Sequence, residues 1–256
     1  MRVPLPAAFL TTPLAHRAYH DRSLGRPENS RGAIIAAIAA GYGIEIDLQL
    51  SSDGVAMVFH DEALQRLTDR TGLIKHHTAA QIAQIKLRDS DETIPTLAEI
   101  LTLVAGRSPL LIEIKDQTDT MSETDGRLES ATATQLAAYQ GPVAVMSFNP
   151  HSIALMARQA PQVPRGLTTS AYDPIDWAPL ATETCNRLRA IPDYDRTLSS
   201  FISHEAADLA RSRVADLKAQ GAAILCWTIR SPAAEAEARK IAQNITFEAY
   251  AAALPT

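Results

Sequence analysis

Charged residues at alternate positions interrupt two apolar segments of this 256-residue chain. Glu45 and Asp47 lie within the apolar run Ile44–Leu50. Glu113 and Lys115 repeat the spacing in an Ile-Glu-Ile-Lys run. Because alternate residues of a β-strand point to the same face, each pair would project from one side of its strand. Charges inside a protein are costly unless they are paired or bind a metal, so these residues are candidates for a functional site.

Two interpretations of the three carboxylates stay open at this point. Lys115 and Arg17 would neutralise them in an ion-pair network, or the carboxylates would bind a hard divalent metal, because oxygen ligands suit Mg²⁺ and Ca²⁺. By themselves, Glu45 and Asp47 fit a solvated edge strand equally well. The addition of Glu113, in its apolar surroundings, favours the metal.

Two of the seven histidines have a context that suits catalysis. His16 and His60 each follow a short apolar run, and each stands next to a charged residue. Because histidine titrates near neutral pH, two imidazoles beside a metal would supply a general acid and a general base. Either one alone is more often a structural or surface residue. For the remaining histidines, we expect solvent exposure at His20, His76 and His77, and a place near a helix start for His151 and His204.

Alternating strand-like and helix-like segments would position these side chains. The helix-like segments carry caps, such as the capping boxes at Thr78–Gln81 and Thr96–Glu99. Repeated βα units imply parallel strands, and eight of them predict a (β/α)₈ TIM barrel, whose active site lies at the carboxyl ends of the strands. A doubly wound open sheet is the alternative, without a dinucleotide site because no GxGxxG motif follows an early strand. The predicted strands are Leu14–Ala15, Ile44–Leu50, Leu110–Ile114, Val143–Phe148, Gly166–Thr169, Leu198–Ser203, Ala222–Ile229 and Asn244–Phe247.

We expect one domain over residues 1–256, with an insertion at residues 51–94 that follows the second strand. This segment is too long for a bare loop. It contains the strand-like Val55–Phe59 and a helix predicted to begin at Thr78. Residues 171–192 show few signals of regular structure, so we expect them to be irregular.

Composition and charge exclude several classes of protein. With 46% hydrophobic and 21% charged residues, the chain is neither disordered nor of low complexity. Cys185 and Cys226 are too few for a disulfide-stapled scaffold, and we expect both to be reduced thiols. The net charge of −5 and the scattered basic residues argue against nucleic acid as a partner. No targeting signal or bilayer-spanning segment is evident, so we expect a cytoplasmic protein without stable membrane insertion.

Short motifs along nearly the whole chain form a combined pattern. They are Leu14-Ala-His-Arg17, Pro27-Glu-Asn-Ser30, Gly43-Ile-Glu-Ile-Asp-Leu-Gln-Leu50, Asp53-Gly54, Val58-Phe-His-Asp61, Ile94-Pro-Thr-Leu97, Leu111-Ile-Glu-Ile-Lys115, Ser147-Phe148 and Trp227-Thr228. In order and spacing these motifs resemble the glycerophosphodiester phosphodiesterase family. The resemblance implies a phospholipase-C-like (β/α)₈ barrel with an insertion after its second strand, where this chain has residues 51–94.

The resemblance also implies roles for the candidate residues. The family's two catalytic histidines fall on His16 and His60. Its divalent-metal carboxylates fall on Glu45, Asp47 and Glu113.

Three further positions match the family's substrate contacts, and the chain departs from the family beside them. Arg17 and Lys115 match positions that hold the phosphate, and Trp227 matches an aromatic residue near the mouth of the site. Ala18 stands where the family usually has glycine, and Ile245–Ala249 replaces the common Ile-Thr-Asp ending of the last strand. These departures surround the substrate, so they concern the leaving group more than the chemistry.

The implied reaction is metal-dependent hydrolysis of a glycerophosphodiester to an alcohol and glycerol 3-phosphate, with the two histidines as general acid and base. A small-molecule phosphodiester is therefore the expected partner. Two alternatives stay open: lysophospholipase D or phospholipase C-type activity on a lipid phosphodiester, and a non-catalytic binding protein on the same barrel. A lipid substrate would need an apolar groove or a membrane-contacting loop, and no long apolar loop is evident in the sequence.

Overall fold

Eight parallel strands close into a barrel in the computed structural model, which describes residues 1–255. The first strand pairs with both the second and the last, which closes the sheet. The (β/α)₈ TIM barrel predicted from the sequence is confirmed. The strands are β1 (Leu14–Ala15), β2 (Gly43–Leu50), β3 (Ala56–Val58), β4 (Leu110–Ile114), β5 (Val143–Ser147), β6 (Arg165–Thr169), β7 (Phe201–Glu205), β8 (Ala223–Ile229) and β9 (Asn244–Phe247), of which β3 runs antiparallel to β2 outside the barrel.

Most of the helices cover the outside of the barrel, and several begin at the caps that the sequence predicts. Thr96 accepts a hydrogen bond from the backbone N–H of Glu99, whose carboxylate accepts one from the Thr96 N–H. The helices are α1 (Ala8–Thr11), α2 (Arg31–Ala40), α3 (Ala79–Ile82), α4 (Leu97–Val104), α5 (Arg127–Leu136), α6 (Pro150–Gln159), α7 (Thr182–Arg189), α8 (Ser212–Ala219) and α9 (Pro232–Ala238). Among residues 1–255, no helix combines the length and apolar composition that crossing a membrane requires.

The barrel interior is apolar at the amino-terminal ends of the strands and charged at the carboxyl ends. The apolar end is filled by side chains from α1 and from alternating strand positions, including Phe9, Leu111 and Phe201. Gly166 makes room there, since a Cβ at this position would lie 2.5 Å from the Phe201 ring. Polar chemistry is therefore confined to the opposite end, where Glu45 and other charged residues of the strands face inward.

Residues 51–94 form a layer with a small hydrophobic cluster of its own. Strand β3 pairs with the carboxyl-terminal half of β2, so this segment is fixed beside the charged end of the barrel. Two single-turn 3₁₀ helices, Leu64–Arg66 and Ile74–His76, follow β3. The cluster consists of Met57, Phe59, Leu64, Leu67, Ile74, Ile82, Ile85, Leu87 and Ile94.

Three predictions from the sequence differ from the structure. His204 was expected near a helix start, but it lies in β7 with no exposed surface, hydrogen-bonded to Thr169, and α8 begins only at Ser212. The predicted start of that strand was too early, because Leu198 has a positive φ and belongs to the preceding turn. Residues 171–192, expected to be irregular, contain the amphipathic helix α7, whose buried face is only Cys185 and Leu188 and therefore leaves a weak signal.

Candidate active site

Three carboxylates meet at the charged end of the barrel. Glu45 and Asp47 alternate with outward-facing residues of β2, and Glu113 on β4 is the register partner of Asp47. The three residues are 2%, 1% and 5% exposed. One oxygen of each lies within 4.8 Å of the others, so the three carboxylates can bind a single ion. The pairing register of two neighbouring strands thus creates the cluster anticipated from residue spacing.

The cations of the site do not balance these charges. The Lys115 ammonium donates to Asp47 at 2.9 Å and to Glu113 at 2.6 Å. Glu45 accepts from the backbone N–H of Arg17 at 2.8 Å. Burial, and then the two neighbouring carboxylates, raise the pKa of Glu45 well above its usual range. The ion-pair network is therefore incomplete, and an all-oxygen cluster with surplus negative charge fits a hard divalent cation.

Asn29 and Arg17 hold the cluster from the first loop of the barrel. The Asn29 amide donates to Asp47 Oδ2 at 2.9 Å and accepts from the backbone N–H of Asp47 at 3.2 Å. The Arg17 guanidinium donates to Glu28 at 2.8 Å, and its Nε lies 3.8 Å from Asp47. Sequence reasoning gave Asn29 and Glu28 no role, although both belong to the Pro27-Glu-Asn-Ser30 motif.

His16 is oriented by a carboxylate from the other end of the chain. Its Nδ1 lies 2.6 Å from Glu248 Oε2, in the segment that follows β9. Because a carboxylate only accepts, Nδ1 carries the proton and Nε2 is the nitrogen left for chemistry. Burial lowers the pKa of His16, against the hydrogen bond with Glu248, which raises it. His20, expected to be exposed, instead lies partly buried with Nε2 3.7 Å from the same carboxylate.

His60 has the same arrangement, built from adjacent residues. Its Nδ1 lies 2.7 Å from Asp61 Oδ1. Burial acts to raise the pKa of Asp61, but hydrogen bonds from His60 and Arg66 outweigh it and hold that pKa well below the usual range. The ionised carboxylate therefore fixes the tautomer of His60 as Glu248 fixes that of His16.

A cavity of about 160 Å³ joins these groups. Both histidines and Arg17 line it together with Lys115 and the three carboxylates. A wider groove of about 700 Å³ adjoins it on the side of His60. Trp227 and Phe148 line both spaces, with ring centroids 5.5 Å apart, and Trp177 lies beside Phe148 in the groove. All eight residues singled out from the sequence thus surround one connected space.

The profile of the glycerophosphoryl diester phosphodiesterase family matches residues 16–246. The chain belongs to this family. The match begins at His16 and runs through nearly all of β9, so it includes every residue of the carboxylate cluster.

Curated relatives agree with this assignment. A glycerophosphodiester phosphodiesterase of Bacillus altitudinis is 33% identical over 169 residues, which are 62% of this chain and 67% of that protein. One from Caldanaerobacter subterraneus is 33% identical over 165 residues, or 61% of this chain and 66% of that protein. The alignments therefore span about two thirds of each relative. They place the chain in the glycerophosphodiester phosphodiesterase class of enzymes.

The fold of this chain recurs in solved structures across almost its whole length. A phosphodiesterase from Oleispira antarctica, solved in complex with the product sn-glycerol-3-phosphate, has a TM-score of 0.73 at 24% identity, covering 94% of both chains. A glycerophosphodiester phosphodiesterase from Thermotoga maritima has a TM-score of 0.69 at 20% identity, covering 93% of this chain and 94% of the other. At identities of 24% and 20%, these similarities show the shared barrel fold alone.

Proposed function

We propose that this glycerophosphodiester phosphodiesterase hydrolyses small glycerophosphodiesters to an alcohol and glycerol 3-phosphate, with a divalent metal and two histidines. One observation carries the proposal: two imidazoles, each with Nδ1 on a carboxylate, face one cavity beside a cluster of three buried carboxylates. The product named for the Oleispira antarctica relative supports the same chemistry.

Glu45, Asp47 and Glu113 would hold the metal, and their oxygen ligands suit Mg²⁺ or Ca²⁺. When bound, such an ion supplies positive charge to a phosphate oxygen. Arg17 and Lys115 add fixed donors for the charge that spreads over the phosphoryl oxygens. Their carboxylate partners keep both cations at the wall of the cavity.

The histidines divide the proton transfers between them. One Nε2 takes a proton from the attacking hydroxyl, which is water or the neighbouring glycerol hydroxyl, and the other gives a proton to the leaving alcohol. Attack by the glycerol hydroxyl forms a cyclic phosphate that water then opens. Because each Nδ1 is committed to a carboxylate, proton transfer at either ring is confined to Nε2.

A lipid phosphodiester is the second candidate substrate, and the wide groove favours it. Met121, Phe148, Trp177 and Trp227 give that groove an apolar wall next to the catalytic cavity. Such a wall suits the acyl chain of a lysophospholipid, whereas the lining of the groove also includes acidic residues such as Asp61 and Glu62. The small diester remains the first choice because this mixed lining also suits a polar leaving alcohol.

The test is turnover of a panel of glycerophosphodiesters and lysophospholipids with Mg²⁺, with Ca²⁺ and with excess chelator. His16→Ala and His60→Ala should each abolish turnover without unfolding the protein, whereas the exposed His76→Ala on the same inserted segment should not. Near-wild-type rates in either active-site variant, or full activity in chelator, would contradict the mechanism. No turnover of any substrate by a metal-loaded wild type would favour a non-catalytic binding protein.

The proposal also covers the domain organisation and the cellular location of the enzyme. The pairing of β3 with β2 supports one domain in which residues 51–94 are an insertion. Cys185 and Cys226 are buried free thiols, as suits a cytoplasmic enzyme. Fractionation of cells that express the chain would test its location.

A further inference from the structure

We propose that Arg66, in the inserted segment, is a positioning residue that ties the phosphate-binding arginine to the second catalytic histidine; this inference rests on the proposed function. Arg66 ends the 3₁₀ turn Leu64–Arg66, outside the barrel strands. Its guanidinium donates hydrogen bonds to two carboxylates that lie on separate loops. It donates to Glu28 at 2.8 and 2.8 Å, and to Asp61 at 2.6 and 2.9 Å.

Each of these carboxylates also holds a residue of the candidate active site. Glu28 Oε1 accepts from Arg17 Nη1 at 2.8 Å. Asp61 Oδ1 lies 2.7 Å from His60 Nδ1. A continuous chain of hydrogen bonds therefore runs from Arg17 through Glu28, Arg66 and Asp61 to His60. A bidentate pair fixes the direction of a carboxylate as well as its distance, so Arg66 fixes the orientation of both partners.

The two loops that carry Glu28 and Asp61 need a side-chain contact to fix their relative position. Glu28 lies between β1 and α2, and Asp61 lies just after β3, so no strand pairing connects them. The Glu28 and Asp61 side chains are only 11% and 20% exposed, which makes an unpaired negative charge on either one costly. Leu64 anchors the turn of Arg66 in the hydrophobic cluster of the inserted segment. The insertion thereby supplies an active-site contact.

Arg17 and His60, at the two ends of this series of hydrogen bonds, depend on Arg66 to different degrees. Arg17 has other fixed points, since its backbone N–H donates to Glu45 at 2.8 Å and its Nε lies 3.8 Å from Asp47. His60 depends for its ring orientation on Asp61, which Arg66 holds. Loss of Arg66 should therefore disturb proton transfer more than phosphate binding, and lower kcat more than it raises KM.

The first experiment compares Arg66→Met, Arg66→Lys and, as a matched control, Arg70→Met at an exposed arginine of the same segment. Arg66→Met should lower kcat by about 10- to 100-fold, the range typical for loss of a residue that orients an active-site group, with a change in KM below about threefold. Arg66→Lys should restore only part of kcat. It keeps the positive charge, but one ammonium cannot make two bidentate pairs. Equal kcat in Arg66→Met and Arg70→Met would overturn the inference while the proposed function stands.

A double variant tests the route through Asp61. If Arg66 acts by holding Asp61, adding Arg66→Met to Asp61→Asn should lower kcat little further. If the kcat losses of the two single variants multiply in the double variant, the inference is overturned.

A second readout does not need turnover, so it separates this inference from the proposed function. In ¹⁵N-histidine NMR spectra, with the His60 signals assigned by His60→Ala, the wild type and Arg70→Met should show the Nδ1-protonated tautomer at His60. Arg66→Met should show a mixture of tautomers. An unchanged tautomer in Arg66→Met would refute the positioning role. Absent turnover in the wild type refutes the proposed function instead.

Discussion

Removal of the carboxylate behind His16 tests the acid–base scheme at its most specific contact. Glu248 Oε2 lies 2.6 Å from His16 Nδ1, and Glu248 Oε1 accepts from Arg230 at 2.7 Å. Glu248→Gln keeps the size of the side chain and one acceptor oxygen but removes the charge. Glu248→Ala removes the contact entirely, so the two variants separate charge from hydrogen bonding.

The hydrogen bond between Glu248 and His16 sets the expected loss in kcat/KM. A hydrogen bond to a charged group contributes about 1.5–3 kcal/mol, and its loss in the transition state corresponds to about 10- to 150-fold in kcat/KM. A neutral hydrogen bond is about half as strong, so Glu248→Gln should fall near the lower limit and Glu248→Ala near the upper one.

The sign of the pH shift is also fixed. Burial lowers the pKa of His16, and the hydrogen bond with Glu248 is the largest influence that raises it. Without that carboxylate the pKa of His16 should fall further. The limb of the pH profile that reports His16 should therefore move to lower pH, whether His16 is the acid or the base.

The assay is release of glycerol 3-phosphate from a glycerophosphodiester between about pH 5 and 9, a range that brackets the usual titration of histidine. Glu237→Gln is the matched control, because this glutamate pairs only with Lys240 among the described residues and is exposed. Rates for Glu248→Ala within about threefold of wild type, or a limb that moves to higher pH, would refute the reasoning.

Three further predictions concern packing, metal binding and acid stability. Gly166→Ala should lower the free energy of unfolding in urea by about 1–3 kcal/mol, because the rigid Phe201 ring occupies the space of the new methyl group; an unchanged midpoint would contradict this packing. Glu113→Gln should weaken Mg²⁺ or Ca²⁺ binding in calorimetry by at least about tenfold, and equal affinity would place the metal elsewhere. Asp61 has a lowered pKa, since bonds from its histidine and arginine neighbours outweigh burial, so its stabilising effect is present above the unfolded-state pKa and is lost as the pH falls. Asp61→Asn should therefore flatten the decline in unfolding free energy below about pH 4, and parallel curves would contradict it.

The sequence predicted the parts of the site that depend on local spacing. Glu45 and Asp47 are two positions apart on one strand, so their common direction follows from strand geometry alone. Glu113 joins them because neighbouring parallel strands align their carboxyl ends, which the repeated βα pattern anticipates. The boundaries of the predicted strands lie within one residue of the observed ones except at β7, which begins three residues and ends two residues later than predicted.

Contacts between distant residues were not predictable in this way. Glu248 and Arg66 each look like ordinary surface charges in the sequence, since nothing local marks the partner. Glu28 is separated from Arg66 by 38 positions and meets it only because the inserted segment folds over the first loop of the barrel. His204 was misplaced for a related reason, because its buried partner Thr169 lies on the neighbouring strand.

Closure of the barrel by its first and last strands has a consequence for the assembly of the site. Glu248 is separated from His16 by 232 positions, so the pair exists only after β9 has docked against β1. A chain in which β9 has not docked would still contain the three carboxylates and both imidazoles, yet the His16 ring would lack its orienting partner. On the proposed mechanism, full activity would require β9 to be docked against β1, so the catalytic rate would report closure of the barrel.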